Sequence, residues 1–381
     1  MKKNKLLGSL LNFLLPGLGY FYGRKLKKAL ITYVLFFVVV FSIRFVSYNF
    51  VLFSISLTAV IGYYVYLFIS GYRDVKRDYV YEPDSFDKWY TYLAALVTHW
   101  ILVSSISGPT LDKITPINFA QIPTPAMDPT LLVGDKLAFK KTQSLERNDV
   151  AIFWFPDNVN TIYVKRCIGM PGDSLRIKNR TVLINGLPLT GTTLKFKYLV
   201  TTDGAEISSR ILKKHRLTEA DFFRVSANAY YFFLTEQQFT ELKKETFLKM
   251  VEPTVAKEGE SESMIFPNSD DLNWNTDFYG SIYIPKKGDK IPLTKKNISY
   301  YLKCIQFENE LVEIDNSGLK INGQFVDSYT FKTNYFFMMG DNRHNSLDSR
   351  YWGFLPQDLV IGKAMFLYWG TTTDRIGKKV V

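Results

Sequence analysis

Cysteine and histidine are scarce in this chain. Its 381 residues include only two cysteines, Cys167 and Cys304, and three histidines, His99, His215 and His344. The cysteines form no CxxC pair, and no HExxH motif is present. The common zinc spacings are therefore excluded, and we expect neither a metal nor another cofactor. The sequence leaves a single disulfide open, but two buried thiols are the simpler prediction.

The sequence also lacks a basic stripe interleaved with aromatic residues, which nucleic-acid-binding surfaces usually carry. The formal net charge is +11, yet most of the positive excess lies before residue 115, between apolar segments. Charge placed in this way orients helices in a membrane. We therefore expect a lipid bilayer, and no nucleic acid, as a partner of the first part of the chain.

Hydrophobic residues, by contrast, make up 47% of the chain. A helix needs about 20 apolar residues to cross a bilayer. Three segments approach this length: residues 29–43, 50–69 and 90–106. An earlier apolar run, residues 6–22, is interrupted by Pro16-Gly17. This break predicts a re-entrant or interfacial hairpin, with one kinked spanning helix as the alternative. His99 lies in the third segment, where a packed or interfacial role is the simpler prediction.

Two basic loops set the expected orientation of these segments. One contains Arg24, Lys25, Lys27 and Lys28, and the other contains Arg73, Lys76, Arg77 and Lys88. Basic loops remain on the cytoplasmic side of a membrane. Residues 1–107 are therefore predicted to form the membrane region, with the chain after residue 108 outside the cytoplasm.

The sequence pattern changes after residue 114. Short alternating runs such as residues 151–155 and 161–164 predict β-strands. Asn185-Gly186 and Asn322-Gly323 predict tight hairpin turns. The stretches around them, 175–187 and 312–325, are loosely alike, which indicates either a duplicated hairpin or a coincidence. We expect an all-β core over residues 115–190 and 311–375.

An insertion of mixed α and β structure is predicted between the two parts of this core, over residues 191–310. A helix is expected near residues 235–250, because Thr235 and Gln238 form the pattern of a capping box. A second, shorter helix is expected over residues 297–305.

Three stretches carry the chemistry, and we name them box 1, box 2 and box 3. Box 1 (121–135) reads QIPTPAMDPTLLVGD, box 2 (163–173) reads YVKRCIGMPGD, and box 3 (339–353) reads MGDNRHNSLDSRYWG. In order, spacing and content they resemble the signature boxes of bacterial type I signal peptidases. These are Ser-Lys serine proteases that remove signal peptides at the membrane. The resemblance implies transmembrane helices followed by an extracytoplasmic all-β catalytic domain.

The resemblance assigns a role to each matching polar residue. Lys165 matches the general base, and Ser346 matches the serine whose hydroxyl orients the lysine amine. Asp348 and Arg350 match the ion pair that braces this loop. A lysine acts as a base only when its amine is neutral, and its unperturbed pKa is about 10.4. Lys165 follows an apolar run on a predicted strand, so burial in an apolar pocket can lower that pKa. A solvated strand face is the alternative.

Ala126 occupies the position of the nucleophilic serine. His344 is a lesser departure, because the family often has aspartate there, and it does not affect the serine and lysine positions. The backbone N–H of Ala126 and the hydroxyl of Thr124 match the family's donors to the oxyanion. Ile122 and Val164 match the walls of shallow pockets that select small side chains, and Met127 belongs to the same substrate-binding stretch. The segment before Ala126 is expected to pair with the backbone of the substrate as an extended edge.

No neighbouring hydroxyl replaces the missing serine. Thr124 is two residues away, about 6.6 Å in an extended chain, whereas attack needs atoms about 3 to 3.5 Å apart. Two interpretations remain open. The chain is either an active-site variant that prevents self-cleavage or traps substrate, or a naturally inactive homologue that binds signal peptides or a membrane partner. The membrane segments and the lack of a DNA-binding helix pair disfavour a self-cleaving repressor.

The resemblance also implies partners and a location. The partners are the signal peptides of secreted preproteins, the lipid bilayer and the secretion translocon. The location is the bacterial inner membrane, with the catalytic domain in the periplasm.

The predicted orientation can be tested with single cysteines. We expect Val80→Cys to be protected, and Glu260→Cys to be labelled, when intact cells meet an impermeant thiol reagent. The physical reason is that the basic loop containing position 80 stays in the cytoplasm. Labelling at 80 together with protection at 260 would reverse the assignment.

Overall fold

The computed structural model of the protein describes residues 3–75, 88–106, 114–269, 271–309, 311–315 and 318–381. The chain divides into two compact units, Met1–Phe119 and Ala120–Val381. Residue 107, the predicted end of the membrane region, lies outside the described residues. So do Lys76 and Arg77 of the second basic loop.

The first unit is mainly helical over its described length, because its apolar runs are too long for strands. Its helices are α1 (Lys5–Leu14), α2 (Leu18–Tyr22), α3 (Leu26–Val46), α4 (Phe50–Asp74) and α5 (Trp89–Ile106). In the described part of the chain, two helices, α3 and α4, are long and apolar enough to cross a membrane. α5 coincides with the third predicted segment, and its crossing stays a prediction.

The Pro16-Gly17 break separates α1 from α2. Gly17 has a φ of 97°, in the left-handed region that glycine adopts without steric cost. The chain reverses there, and α1 packs against both α2 and α4. The break therefore produces a helical hairpin, and the alternative of a single kinked helix is wrong.

A buried asparagine fastens this hairpin. Asn12 donates from Nδ2 to the carbonyl oxygen of Leu67 (3.3 Å) and accepts from the N–H of Gly19 (2.8 Å). The backbones approach closely because glycines stand at the contacts. A Cβ at Gly19 would lie 1.9 Å from the carbonyl oxygen of Gly8.

Polar contacts also join the other helices of the first unit. Lys25 Nζ lies 2.7 Å from Asp74 Oδ1, and Lys28 forms a second ion pair with the same carboxylate. The first basic loop therefore lies beside the C-terminal end of α4, where the second basic loop begins. This agrees with the predicted orientation, in which both basic loops lie on the same side of the membrane. His99 Nδ1 lies 3.0 Å from the hydroxyl of Tyr33, which gives His99 a packing role between α5 and α3.

The second unit is built on β-structure, and the predicted all-β domain is confirmed. Its strands are β1 (Ile117–Gln121, which begins in the first unit), β2 (Lys136–Lys141), β3 (Val150–Phe155), β4 (Asn158–Gly169), β5 (Ser174–Lys178), β6 (Thr181–Ile184), β7 (Leu187–Pro188), β8 (Phe196–Thr202), β9 (Phe222–Ser226), β10 (Ala229–Leu234), β11 (Leu248–Pro253), β12 (Tyr279–Tyr283), β13 (Lys290–Pro292), β14 (Val312–Asp315), β15 (Gly318–Ile321), β16 (Gln324–Val326), β17 (Ser328–Thr330), β18 (Tyr335–Met339), β19 (Leu355–Pro356) and β20 (Val360–Trp369).

The largest sheet has seven strands in the order β1-β2-β20-β3-β4-β18-β19. Its ladders from β2 to β19 are antiparallel. β4 and β18 carry box 2 and the start of box 3, so the sheet itself brings these two boxes together. Both predicted hairpin turns are confirmed, Asn185-Gly186 between β6 and β7 and Asn322-Gly323 between β15 and β16.

The predicted insertion does not form one separate body. Residues 196–253 form a sheet of their own in the order β11-β8-β10-β9, with a core that includes Tyr198, Phe232 and Leu234. The later part joins the main core instead. β12 pairs with β5, and Ile305 packs in the same cluster as Phe337 of β18.

The described residues of the second unit also contain four short helices. They are α6 (Ser209–Lys214), α7 (Glu236–Leu242), α8 (Ile298–Glu308) and α9 (Ser349–Trp352). The capping box of Thr235 and Gln238 opens α7 as predicted. The prediction that this helix reaches residue 250 is wrong, because β11 pairs with β8 and buries Val251. The predicted helix at 297–305 is confirmed as α8.

The two cysteines lie in different parts of the core. Cys167 is on β4 and Cys304 is on α8, and both are buried free thiols. The simpler prediction of unpaired thiols is therefore confirmed, and the cysteines contribute to the protein as small apolar side chains.

Because α1 packs closely against α4, we expect glycine-to-alanine substitutions at two positions of α4 to have opposite effects on the stability of the folded chain. At Gly71 a Cβ would lie 2.8 Å from Asn12 Nδ2 and 3.1 Å from the carbonyl oxygen of Gly8, whereas a Cβ at Gly62 would meet no atom of the described residues within 4 Å. We expect Gly71→Ala to destabilise the folded chain by about 1–3 kcal/mol through overpacking.

Gly62→Ala serves as the matched control and should be neutral or stabilising by up to about 1 kcal/mol, because alanine favours the helix. Thermal unfolding of both variants in the same detergent measures the difference. Equal midpoints would show that α1 and α4 do not pack as described.

Candidate active site

A cleft of about 420 Å³ opens where box 1 faces β4. The turn around Ala126 forms one wall, and residues 161–165 form the other. Asn345 and Leu347 of box 3 complete the lining. All three boxes therefore meet at one depression in the second unit.

Box 1 presents position 126 at a tight turn. Residues Pro125–Met127 form a single 3₁₀ turn, which the Asp128 N–H closes by donating to the Pro125 carbonyl (3.0 Å). Proline at the first position suits this turn, because it has no N–H to satisfy there. No side chain caps the turn, so the N–H of Ala126 is left without a helical partner. Ala126 is 6% exposed, and Thr124 precedes it in extended conformation.

A buried arginine connects the three boxes. Arg166 of box 2 donates from Nε and Nη2 to the two carboxylate oxygens of Asp341 in box 3, at 2.8 and 2.6 Å. Nη2 also donates to the hydroxyl of Thr130 in box 1 (3.1 Å). The Thr130 hydroxyl in turn donates to Asp341 (2.5 Å), so it is fully engaged and unsuited to act as a nucleophile.

The loop of box 3 also holds the backbone of the turn directly. The N–H of Asn342 donates to the Ala126 carbonyl (3.1 Å), and its Nδ2 donates to the Pro125 carbonyl (3.2 Å). Gly340 lies between this turn and Ser346. A Cβ at Gly340 would stand 2.4 Å from the Ala126 carbonyl oxygen and 2.2 Å from Ser346 Oγ. Only glycine allows the two boxes to approach so closely.

Lys165 is the buried cation of the cleft. Its side chain follows Tyr163 on the same face of β4, and Nζ lies 5.2 Å from the centre of the Tyr163 ring. The residue is only 5% exposed. Burial lowers the pKa of the Lys165 amine to about 8, although Asp348 opposes this shift. The side chain therefore lies in the apolar pocket predicted for it, and the alternative of a solvated strand face is wrong.

Ser346 and the ion pair beside it lie just behind the cleft. Arg350 donates to both carboxylate oxygens of Asp348, at 2.9 and 2.8 Å, and both residues are buried. The Asp348 carboxylate also accepts from the N–H of Gly340 (3.0 Å). The hydroxyl of Ser346 is buried and makes no hydrogen bond with any residue that the structure describes. Its expected contact with the Lys165 amine stays a prediction.

β4 offers a free edge beside the cleft. β3 pairs with β4 along one side from Asn158 to Arg166. On the other side β18 pairs with β4 only from Arg166 to Gly169. In the described part of the chain, residues 159–165 therefore have no partner strand on the side of the cleft. An extended peptide can add to such an edge.

All three boxes lie within residues that match a known protein family. The profile of the family described as "Signal peptidase, peptidase S26" matches residues 91–238 and 327–369, about half of the chain. The chain belongs to this signal peptidase family. The first matched stretch continues to residue 238. It therefore extends beyond box 1 and box 2 and covers the start of the predicted insertion.

Individual relatives carry the same family name. Signal peptidase I of Buchnera aphidicola subsp. Schizaphis graminum is 26% identical over 266 residues, which cover 64% of this chain and 65% of that protein. Signal peptidase I of Aquifex aeolicus is 24% identical over 258 residues, covering 65% and 74%. Signal peptidase IB of Staphylococcus aureus is 45% identical over 65 residues, covering 16% and 33%. The chain spans about two thirds of the length of the first of these relatives.

The structure gathers most of the predicted site residues of a signal peptidase in one place. The cleft is lined by Ile122, Thr124, Ala126, Met127, Val164 and Lys165. The side chains of Ile122 and Met127 are buried in a core cluster beneath the cleft, with Val164 packed against it. Behind the cleft lie Ser346, Asp348 and Arg350. Gly340 separates Ser346 from the turn of box 1, and its N–H donates to Asp348.

Sequence reasoning missed the residues that join the boxes. Arg166 and Asp341 served only as markers of the motifs, although alternation along a strand already places Arg166 on the face opposite Lys165. No pattern in the sequence indicated Lys195, which lies outside the boxes and contacts Asp128 of box 1 (2.8 Å).

The burial of Lys165 predicts an unusual titration of its amine. We expect a midpoint near pH 8, with the ammonium form below it and the neutral amine above it, because burial disfavours charge. NMR of a chain with labelled lysine measures this midpoint, with Lys165→Met to assign the signal. The same lysine in denaturant is the control and should titrate near pH 10.4. A midpoint near 10.4 in the folded protein would contradict the burial described here.

Proposed function

We propose that this protein has the active-site architecture of a signal peptidase I, which removes signal peptides from secreted preproteins with a serine and a lysine. The chain as it stands lacks the nucleophile, because residue 126 is alanine. The single observation that carries the proposal is the buried Lys165 amine, whose pKa is lowered to about 8 in the cleft that residue 126 lines.

The lysine is suited to act as a general base. An amine with a pKa near 8 is neutral in about a tenth of the molecules at pH 7 and in about half at pH 8, and the neutral form can accept the proton of an attacking hydroxyl. An ordinary lysine, with a pKa of about 10.4, is almost fully protonated under the same conditions. The Lys165 ammonium would then return the proton to the departing amine.

The turn around position 126 supports oxyanion binding. The Ala126 N–H has no helical partner, and the exposed Thr124 is two residues earlier. Donors fixed in this way stabilise a negative oxygen without reorganising during the reaction. Asn342 accounts for the rigidity of the turn, since it donates twice to its carbonyl groups.

The substrate would bind as an extended strand. Residues 122–124 and the free edge of β4 line opposite sides of the cleft, so a peptide between them can form backbone hydrogen bonds. Ile122 and Val164 leave room for small side chains, such as the alanines at the end of a signal peptide, and exclude bulky ones.

The two apolar helices support membrane anchoring, as expected for a signal peptidase. The inner membrane, a periplasmic catalytic domain and proximity to the secretion translocon complete the proposal. A naturally inactive protein that binds signal peptides is the alternative. This alternative is weakened because the chain retains a lysine base, the close approach of the boxes at Gly340, and the oxyanion donors. Binding alone needs none of these.

Restoring the missing hydroxyl tests the proposal. We expect Ala126→Ser to cleave a membrane-inserted preprotein after an Ala-x-Ala sequence, and the chain with Ala126 to show no cleavage above background. The reason is that the base and the oxyanion donors are already in position around residue 126. Mass spectrometry of the products in liposomes gives the cleavage site.

The double variant Ala126→Ser with Lys165→Ala is the control. It should lose about 10²- to 10⁴-fold or more in rate, because serine without a base is a weak nucleophile. A folded Ala126→Ser protein that binds signal peptide but never cleaves it would favour the inactive-homologue interpretation.

A further inference from the structure

A lysine outside the boxes is buried beside the turn of box 1. Lys195 lies just before β8 and is only 2% exposed. Its Nζ donates to Asp128 Oδ2 (2.8 Å) and forms a second ion pair with Asp221. Asp128 follows the turn that contains residue 126, and Asp221 belongs to the insertion.

The backbone of the same lysine is bound to box 3. The N–H of Lys195 donates to the Asp341 carbonyl (3.0 Å), and the N–H of Arg343 donates to the Lys195 carbonyl (2.9 Å). These two bonds flank Asn342, the residue that holds the carbonyl groups of Pro125 and Ala126. Lys195 is therefore bonded to box 1 through its ammonium group, at Asp128, and to box 3 through its backbone.

The carboxylate of Asp221, the second residue that Lys195 contacts, is held by two other hydrogen bonds. Asp221 Oδ2 accepts from the N–H of Thr218 (2.7 Å) and from the Thr218 hydroxyl (2.9 Å), which leaves Oδ1 to Lys195. An ion cluster of this kind adds little stability, because burying three charges removes them from water. Its effect is to fix where the charged groups lie.

A second buried contact ties the same region to box 3. His344 donates from Nε2 to Asp277 Oδ1 (2.9 Å), and its Nδ1 accepts from the N–H of Lys197 (3.1 Å). Asp277 and Lys197 both lie within residues 191–310. Box 1 and box 3 are thus each bonded to this part of the chain through buried polar side chains.

From this geometry we propose that Lys195 is a positioning residue: through Asp128 it fixes the turn that carries residue 126, so that residues 191–310 complete the active site. This inference rests on the proposed function. Lys195 touches neither Lys165 nor the lining of the cleft, and it acts through Asp128 and the backbone of box 3.

The test compares two lysines two residues apart, Lys195→Met and Lys197→Met. Lys197 is the matched control, because its ammonium lies over the ring of Tyr231 and only its backbone N–H contacts His344. Hydrogen exchange of the full chain in detergent follows residues 122–135, where the Asp128 and Leu131 amides are bonded within the turn.

We expect Lys195→Met to accelerate exchange in this stretch by on the order of tenfold or more, and Lys197→Met to leave it unchanged. With Ala126→Ser also present, Lys195→Met should lower kcat by about 10- to 100-fold with little change in KM, because a displaced nucleophile loses its alignment. A purely structural role would lower the yield of folded enzyme and leave the kcat of each folded molecule unchanged.

The outcomes separate the two proposals. Unchanged exchange in Lys195→Met, or an unchanged kcat in an active Ala126→Ser background, overturns the positioning role. If Ala126→Ser never cleaves, the proposed function fails, while the exchange measurement still decides the role of Lys195. If Lys195→Met does not fold, Lys195→Met with Asp221→Asn removes one charge of each sign, and the same two readouts apply to it.

Discussion

The bidentate ion pair between Arg166 and Asp341 holds together three segments that are far apart in sequence. It is buried, it joins box 2 to box 3, and through the Thr130 hydroxyl it includes box 1. Removing one partner from such a pair typically costs about 3–5 kcal/mol, because the other charge remains buried and uncompensated. The geometry of the turn at residue 126 and of the Lys165 pocket both depend on this contact.

Two neighbouring basic residues on β4, Lys165 and Arg166, lie in different environments. Arg166 has a matched carboxylate, and guanidinium stays charged in protein interiors. Lys165 points to the other face, where the cleft offers an aromatic ring and no partner within hydrogen-bonding distance among the described side chains. Burial then lowers its pKa. Strand alternation thus places a paired guanidinium and a buried amine of lowered pKa at adjacent positions.

Local sequence signals were reliable where the physical cause is itself local. The Asn-Gly turns formed hairpins because their left-handed conformations suit those residues, and the capping box of Thr235 began α7 where expected. The extension of that helix to residue 250 failed, since strand pairing of β11 with β8 outweighed helical propensity. The predicted insertion also did not form one separate body. β12 lies within it but pairs with β5 of the core, and such a contact between distant segments has no local signal in the sequence.

The sequence by itself determined which residues the candidate site contains: a lysine after an apolar run and a turn with alanine at residue 126. It also determined the apolar segments near the N-terminus. These follow from residue type and short spacing. Only the tertiary structure decided that Arg166 and Asp341 join the boxes and that Lys195 reaches Asp128. A buried ion pair depends on which distant segments the sheet brings together, and no short-range pattern in the chain encodes that choice.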